Sequence, residues 1–263
     1  MVEETLLNCQ ARMRSWREAK EQDRSLTVLT AYDYPAAKLV EEAGVDMILV
    51  GDTLGMVELG YPDTTHVTME DMIHHLRAVV RGASNTLICA DLPFETYVTP
   101  HQAVDNAGRL IEAGAHAVKL EGGNEMENQV RGIVNAGFPF IGHLGMLPQQ
   151  ILVEGKYRKY GKTEKESTRL VEDARILEDA GASGIVLECI VPEVTEVITA
   201  SLSIPTIGIG SGPQCDGQVL VLHDLIGLFP WFRPKFAEPA ADVAETIRQA
   251  VRTFRERIES SRA

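Results

Sequence analysis

The sequence predicts an α/β protein that folds as a single (β/α)8 barrel with an N-terminal helix ahead of it. Short runs of β-branched and apolar residues alternate with longer segments of helical periodicity, which is the pattern of βα units around a parallel sheet. Eight such runs occur in 263 residues, and no segment rich in Pro, Ser or Gly divides them. An open, doubly wound sheet shows the same alternation, but eight strands favour closure and no mononucleotide-binding half is recognisable. The predicted fold is therefore the TIM barrel.

The elements follow one another in a regular order. Apolar and charged residues alternate at helical spacing in MVEETLLNCQARMRSWREAK, which predicts the leading helix. We predict one domain over 1–263, made of an N-terminal helical extension (1–24), the barrel core (25–236) and a C-terminal helix (237–263). The predicted strands are 26–30, 47–50, 86–90, 117–120, 140–142, 184–187, 206–209 and 219–222.

Three of the helices between these strands end in a similar phrase. EEAGVD, IEAGAH and EDAGAS each lead directly into a predicted strand. A glycine after the last helical turn can adopt the left-handed conformation that ends a helix. Gly44, Gly114 and Gly181 are therefore predicted C-terminal caps, and their recurrence indicates one repeated βα unit rather than two unlike domains.

The overall charge argues against two classes of partner. With 38 Asp and Glu against 25 Lys and Arg, the net charge is −13, which repels the phosphates of nucleic acids and anionic lipid headgroups. The N-terminus lacks the apolar stretch of a signal peptide, and no apolar run approaches membrane-spanning length. Cys9, Cys89, Cys189 and Cys215 show no metal-binding or redox spacing, as expected for reduced packing residues in a cytoplasmic protein.

Acidic residues and histidines follow the predicted strands, at the end of a barrel where the strands share one mouth and chemistry takes place. They are Asp33, Asp52, Asp91, Glu121, His143, Glu188 and the pair His223 and Asp224. A single Asp in such a position commonly caps the next helix. Carboxylates from several strand ends around one mouth, however, would repel one another, so protons or a divalent cation must offset their charge.

A hard cation suits this set of groups. All the candidate ligands are oxygen atoms with at most a peripheral histidine, which favours Mg²⁺ over zinc. Magnesium keeps coordination positions free for a chelating substrate such as a 2-oxo acid. Such a site would polarise the carbonyl and stabilise the enolate formed by loss of the neighbouring proton.

Other residues near the strand ends have both functional and structural explanations. Thr53 lies between glycines in GDTLG, where its hydroxyl and N–H could meet an anion or simply form a tight turn. Lys119 shares a strand face with Glu121, so it is a candidate to bind a substrate carboxylate or to form a salt bridge. His143 could orient substrate, donate a hydrogen bond or be structural.

Glu188 has apolar neighbours, Cys189 and Ile190, so burial should raise its pKa toward the range of a general base. The segment GIGSG (208–212) is a weak signal for nucleotide binding, because Pro213 follows it and no dinucleotide-binding βα unit surrounds it. In a barrel this segment is either a loop lining a small-anion or substrate site or a plain turn.

Eight short motifs occur in a fixed order along the chain. They are TAYD (30–33), VGDTLGM (50–56), ADLPF (90–94), VKLEGG (118–123), GHLGMLPQ (142–149), LEC (187–189), GIGSG (208–212) and DGQVLVLHD (216–224). Together they resemble the ketopantoate hydroxymethyltransferase family over about residues 26–236. The resemblance implies that Asp52, Asp91 and Glu121 bind magnesium and that Glu188 accepts a proton. It also implies substrate-binding positions, which are Asp52, Thr53, Asp91 and Lys119.

The implied reaction is hydroxymethyl transfer from 5,10-methylenetetrahydrofolate to 3-methyl-2-oxobutanoate, giving 2-dehydropantoate in pantothenate biosynthesis. It would proceed by magnesium-assisted enolisation and aldol-type addition, with Glu188 removing the C3 proton. Family members assemble as homodecamers, so a homo-oligomer is expected. Two features depart from the family pattern: Thr53 stands where Ser is common, and residues 153–162 are more charged than the Gly-rich stretch expected there.

Two rival functions remain open at this stage. The phosphoenolpyruvate mutase and isocitrate lyase group is similar around the GDTLG strand end and also uses magnesium with 2-oxo acids, but it should carry a catalytic cysteine loop. No cysteine follows Asp91 in ADLPFE. A non-catalytic ligand-binding barrel should have lost part of the carboxylate set, whereas all its members are present here.

Overall fold

Eight parallel strands form a closed barrel in the computed structural model, which describes residues 2–151, 155 and 158–261, with side chains from residue 6 onward. The strands are β1 (Leu26–Thr30), β2 (Met47–Val50), β3 (Leu87–Asp91), β4 (Ala117–Lys119), β5 (Phe140–Gly145), β6 (Gly184–Glu188), β7 (Thr206–Ile209) and β8 (Gly217–Leu220). Each strand pairs with the next along the chain. The prediction of a TIM barrel is confirmed.

Helices follow the strands as the sequence pattern predicts, except after β7, which leads through residues 210–216 directly into β8. They are α1 (Val2–Glu21), α2 (Tyr34–Glu42), α3 (Leu54–Val57), α4 (Met69–Gly82), α5 (Pro100–Glu112), α6 (Glu127–Asn135), α7 (Glu164–Asp179), α8 (Pro192–Ser201), α9 (Leu222–Leu225) and α10 (Val243–Ser260). Short 3-10 helices span Thr64–His66, Asn124–Met126 and Pro148–Gln150.

The N-terminal helix closes one end of the barrel. Met13, Trp16 and Ala19 of α1 belong to the same buried cluster as the inward-facing residues of the strands. Trp16 lies against Gly184, the first residue of β6, where a Cβ would approach the indole Nε1 to 2.8 Å. The helix therefore covers the end at which the strands begin. Truncating a buried aromatic of this kind typically costs about 3–5 kcal/mol.

The predicted glycine caps are confirmed. Gly44, Gly114 and Gly181 have φ angles of 83°, 110° and 99°, in the left-handed region that ends a helix without strain only at glycine. Gly137, which follows α6 in the phrase NAGFPF, has the same conformation with φ 87°. Four βα units of the barrel thus use one helix ending.

The predicted bounds of β3, β4 and β6 differ from the structure by one residue at one or both ends, and those of β5 and β8 are wrong by two or more. The eighth strand is Gly217–Leu220 rather than 219–222, and Leu222 begins α9. A Cβ on Gly217 would lie 2.4 Å from the carbonyl oxygen of Leu26, so glycine allows β8 to approach β1 closely where the barrel closes. The fifth strand extends to Gly145 instead of ending at 142, which places His143 inside a strand.

The chain divides into two compact units, Met1–Val219 and Leu220–Ala263. In the second unit, the N–H groups of Ala240 and Val243 donate to the carbonyls of Leu225 and Ile226, and Asp242 caps α10. The single domain over 1–263 stays a prediction. Of the charged segment 153–162, residues 153, 154, 156 and 157 lie outside the described residues. Within the residues that are described, no helix is long and apolar enough to span a membrane.

Candidate active site

The alternation that fills the barrel core also positions a polar layer above it. Side chains of a strand point alternately to its two faces, so residues two positions beyond an inward-facing core residue also face inward. The core residues concerned are Cys89, Ala117, Ile141 and Val186. Two positions further lie the buried polar residues Asp91, Lys119, His143 and Glu188. Strand periodicity therefore places these four at the carboxyl end of the barrel interior.

These four side chains form a chain of contacts. The Lys119 ammonium lies 3.2 Å from Asp91 Oδ1 and 3.1 Å from His143 Nδ1. His143 Nε2 lies 3.0 Å from Glu188 Oε2. Burial and the neighbouring Lys119 charge hold the pKa of His143 well below its usual value, so its ring is neutral. An ammonium only donates, so Nδ1 accepts from Lys119 and the Nε2–H donates to Glu188.

Asp52 and Glu121 lie in the turns after β2 and β4. The backbone N–H of Asp52 donates to Asp91 Oδ2 over 3.1 Å, which brings the first two predicted metal ligands together. Glu121 Oε1 lies 3.6 Å from His143 Nδ1. Asp52 and Glu121 also share one partner, the buried residue Gln149, whose side-chain amide donates to Asp52 and whose backbone N–H donates to Glu121. Six of the predicted polar residues thus belong to one buried network, namely Asp52, Asp91, Lys119, Glu121, His143 and Glu188.

Burial and mutual repulsion shift the ionisation of this network. Burial, reinforced by Asp91, raises the pKa of Asp52 to about 7. Burial also raises the pKa of Glu121 well above its usual value and that of Glu188 to about 8. Burial opposes the charge on Lys119, but the surrounding carboxylates outweigh it and raise its pKa. Four carboxyl groups facing one ammonium leave excess negative charge that a bound cation would offset.

The donors fit a magnesium ion that retains open positions. No group of three or more His, Cys, Asp or Glu side chains among the described residues is arranged to hold an ion by itself. Magnesium does not require such a cage, because it commonly takes one or two protein carboxylates and completes its shell with water and substrate oxygens. Asp52 and Asp91 are close enough for the Asp91 charge to raise the pKa of Asp52, so they supply such a pair. Gln149 joins Glu121 to Asp52.

Four predicted candidates, Asp33, Thr53, His223 and Asp224, are not part of this hydrogen-bonded network among the residues that the structure describes. Asp33 is exposed and caps α2 by accepting a hydrogen bond from the N–H of Ala36, so its prediction as a site carboxylate is wrong; the preceding residue, Tyr32, is the buried one. His223 and Asp224 lie in α9 of the second unit. Thr53 is partly buried and precedes α3 without a side-chain capping bond within the described structure.

The GIGSG segment supports the turn that carries Glu188. Ser211 Oγ donates to the carbonyl of Leu187 over 2.7 Å and accepts from the N–H of Ile190 over 3.0 Å, on either side of Glu188. Between them, Cys189 adopts a φ of 51°, which is uncommon outside glycine and is stable only where its surroundings hold it. The segment is therefore built into the support of one acidic side chain.

Sequence reasoning did not find Gln149 as a site residue. It is the last residue of GHLGMLPQ, a motif included for its resemblance, and nothing in the local pattern shows that its amide reaches Asp52, 97 positions earlier. Tyr97, whose hydroxyl donates to Gln149, was not predicted either.

The family comparison covers nearly the whole chain. The model of the family described as ketopantoate hydroxymethyltransferase matches residues 10–262. A 3-methyl-2-oxobutanoate hydroxymethyltransferase of Acetivibrio thermocellus is 52% identical over 242 residues, which cover 91% of this chain and 86% of that protein. A protein of the same name from Ignicoccus hospitalis is 54% identical over 236 residues, covering 89% of each.

Solved structures share the fold at low identity. A phosphonopyruvate hydrolase in complex with oxalate and Mg²⁺ superposes with a TM-score of 0.64 at 16% identity, covering 95% of this chain and 87% of that one. A phosphoenolpyruvate phosphomutase from Streptomyces platensis gives a TM-score of 0.66 at 15% identity, covering 95% and 88%. At these identities the likeness concerns the fold.

Proposed function

The chain belongs to the ketopantoate hydroxymethyltransferase family, and on that premise we propose how its site transfers a hydroxymethyl group to 3-methyl-2-oxobutanoate, giving 2-dehydropantoate in pantothenate biosynthesis. The proposed one-carbon donor is 5,10-methylenetetrahydrofolate. A carbon–carbon bond forms between C3 of the oxo acid and the methylene carbon, the bonds from that carbon to folate nitrogen break, and water supplies the hydroxyl group.

One observation carries the assignment of the base. Glu188 ends β6 inside a buried polar cluster, 3.0 Å from a neutral His143 that donates to it, and its pKa is raised by burial to about 8. A carboxylate with a raised pKa is a stronger base than a free one and works near neutral pH. We assign Glu188 to remove the C3 proton of the oxo acid, after which the enolate carbon attacks the one-carbon unit.

The other residues hold the reactants. Asp52, Asp91 and Glu121 would hold Mg²⁺, which when bound supplies polarisation of the 2-oxo group and stabilises negative charge on its oxygen. Lys119 is the buried cationic group of this cluster and is assigned to the substrate carboxylate, and Thr53, which follows Asp52, is assigned to the same ligand through its hydroxyl and N–H. Lys119 also forms an ion pair with Asp91.

His143 has a positioning role in this proposal. Its neutral ring links Lys119 to Glu188, so binding of the substrate carboxylate at Lys119 and placement of the base are connected through one side chain.

The proposal also includes a homo-oligomer, a decamer in the pattern of the family, and residence in the cytoplasm. Four free cysteine thiols are compatible with that compartment.

Proton exchange at C3 tests the proposal most directly. We expect 3-methyl-2-oxobutanoate to exchange its C3 proton in D2O in the presence of the protein and Mg²⁺ without folate, and much more slowly once the metal is chelated. Adding methylenetetrahydrofolate should then give 2-dehydropantoate. Exchange that is independent of the metal would remove Mg²⁺ from the mechanism, and cleavage of methylisocitrate without formation of 2-dehydropantoate would refute the transferase function.

A further inference from the structure

Gln149 is a buried side chain that contacts the site from a loop with no assigned function. It is the middle residue of the 3-10 helix Pro148–Gln150 that follows β5, and only 2% of its surface is exposed. A glutamine in this environment must satisfy its amide with protein partners, because an unpaired buried polar group costs about 1–3 kcal/mol. Its partners therefore show what the residue does.

Those partners come from three turns at the mouth of the barrel. The side-chain Nε2 donates to Asp52 Oδ2 over 2.7 Å, in the turn after β2, and to the carbonyl of Leu92 over 3.0 Å, just after β3. The backbone N–H donates to Glu121 Oε2 over 3.0 Å, in the turn after β4. One residue thus donates to two of the three carboxylates assigned to the metal.

The orientation of the amide is determined by its neighbours. Asp52 Oδ2 and the Leu92 carbonyl are both acceptors, so the NH₂ end of the amide must face them. The Oε1 end then faces the hydroxyl of Tyr97, which donates to it. Tyr97 is itself 8% exposed, so this contact is shielded from water. The amide has its donors and its acceptor matched and cannot turn over without losing all three bonds.

We propose that Gln149, oriented by Tyr97, is a positioning residue that holds Asp52 and Glu121 in the arrangement in which they bind the divalent cation. The inference rests on the proposed function, which assigns these carboxylates to the metal. Asp52 and Glu121 repel each other, and without a shared donor they would relax apart before a cation arrives. Because Gln149 donates to both carboxylates, they are already arranged for the cation, and little free energy is needed to arrange them when it binds.

Removing the side-chain donor tests the inference. Gln149→Met keeps the length and most of the volume of the side chain, and it retains the backbone N–H that donates to Glu121. Loss of such a supporting hydrogen bond typically weakens metal affinity about 10- to 100-fold. We therefore expect calorimetric titration of the metal-free variant with MgCl₂ to give a dissociation constant raised by that factor. Gln150→Met is the matched control, because within the described structure the half-buried Gln150 side chain forms no hydrogen bond with Asp52 or Glu121, and the Mg²⁺ affinity of this variant should equal that of the wild type.

Two further readouts separate positioning from a general loss of structure. At saturating Mg²⁺, Gln149→Met should have most of the kcat of the wild type. The Mg²⁺ concentration that gives half of this activity should be higher than for the wild type. Tyr97→Phe removes only the hydroxyl that orients the amide, so it should shift the Mg²⁺ dissociation constant in the same direction by a smaller factor, and it decides the question if Gln149→Met does not fold.

The outcomes distinguish this inference from the proposed function. If the wild type binds Mg²⁺ and both variants bind it equally well, the positioning role is refuted and the metal assignment stands. If Gln150→Met loses as much affinity as Gln149→Met, the effect belongs to the loop and the role of Gln149 is again refuted. If the wild type binds no Mg²⁺ and the rate of C3 exchange does not depend on Mg²⁺, both the assignment of the metal ligands and the positioning role of Gln149 are refuted.

Discussion

Replacing Glu188 with glutamine tests the base with little change of shape. The side chain is 8% exposed, and its Oε2 accepts a hydrogen bond from His143 over 3.0 Å. The amide oxygen of glutamine can accept the same bond, so His143 and its contact with Lys119 should keep their positions. The substitution removes only the capacity to take up a proton.

The size of the effect follows from the role of the residue. A positioned general base contributes about 10²- to 10⁴-fold, so C3 exchange and kcat should fall by that factor while the dissociation constant of 3-methyl-2-oxobutanoate stays within a few-fold of the wild type. The thermal stability of the variant should not fall along with C3 exchange and kcat. A pKa near 8 in place of 4.5 means that burial disfavours the carboxylate by roughly 5 kcal/mol at about 1.4 kcal/mol per pH unit. The neutral amide avoids part of this penalty above pH 8.

The assay is NMR detection of deuterium at C3 in D2O, at saturating Mg²⁺ and without folate, together with thermal unfolding of the same samples. Glu193→Gln is the matched control, because Glu193 is exposed in the first turn of α8. This variant should catalyse C3 exchange at the wild-type rate. A Glu188→Gln variant that exchanges within about threefold of the wild type would remove Glu188 as the base. A loss of exchange that parallels a lower Tm would also contradict the reasoning.

Three further predictions concern stability and pH. Asp33→Ala should lower the free energy of unfolding, measured by urea denaturation, by about 1 kcal/mol, because it removes the cap of α2. The kcat should not change, and a fall in kcat would show that Asp33 belongs to the active site. Gly145→Ala places a Cβ 2.1 Å from the carbonyl oxygen of Glu188 at a φ of 98°, so Tm and C3 exchange should both fall, and a variant with wild-type Tm would refute the close approach. Because burial raises the pKa of Asp52 to about 7 and of Glu188 to about 8, the folded metal-free protein binds more protons than the unfolded chain between the usual and the raised values. The Tm of the metal-free protein in calorimetry should therefore fall from pH 7 to pH 9, a range above the pH at which an ordinary histidine titrates. Mg²⁺ should raise the Tm by more at pH 9 than at pH 7. A Tm that rises from pH 7 to pH 9 would contradict the direction of these pKa shifts.

Local patterns predicted the barrel because they depend on neighbouring residues alone. A glycine after a helix ends it whatever the rest of the chain does, and Gly44, Gly114 and Gly181 have the left-handed conformation that the repeated phrase predicts. Strand periodicity likewise determines which side chains face inward. The eighth strand was misplaced because its start depends on the close approach of Gly217 to Leu26, which are distant in sequence.

The sequence by itself determined the fold class, the strand ends at which polar residues gather, and, through resemblance, the reaction to expect. Only the tertiary structure decided which of those residues meet. Asp33 and Asp52 both follow a strand, yet Asp33 turns outward to cap a helix while Asp52 is held inward by Asp91 and Gln149. Periodicity places a side chain on one face of its own strand, whereas contacts across the barrel depend on how separate strands and turns are brought together. That arrangement depends on the packing of the whole barrel and is not contained in any local stretch of sequence.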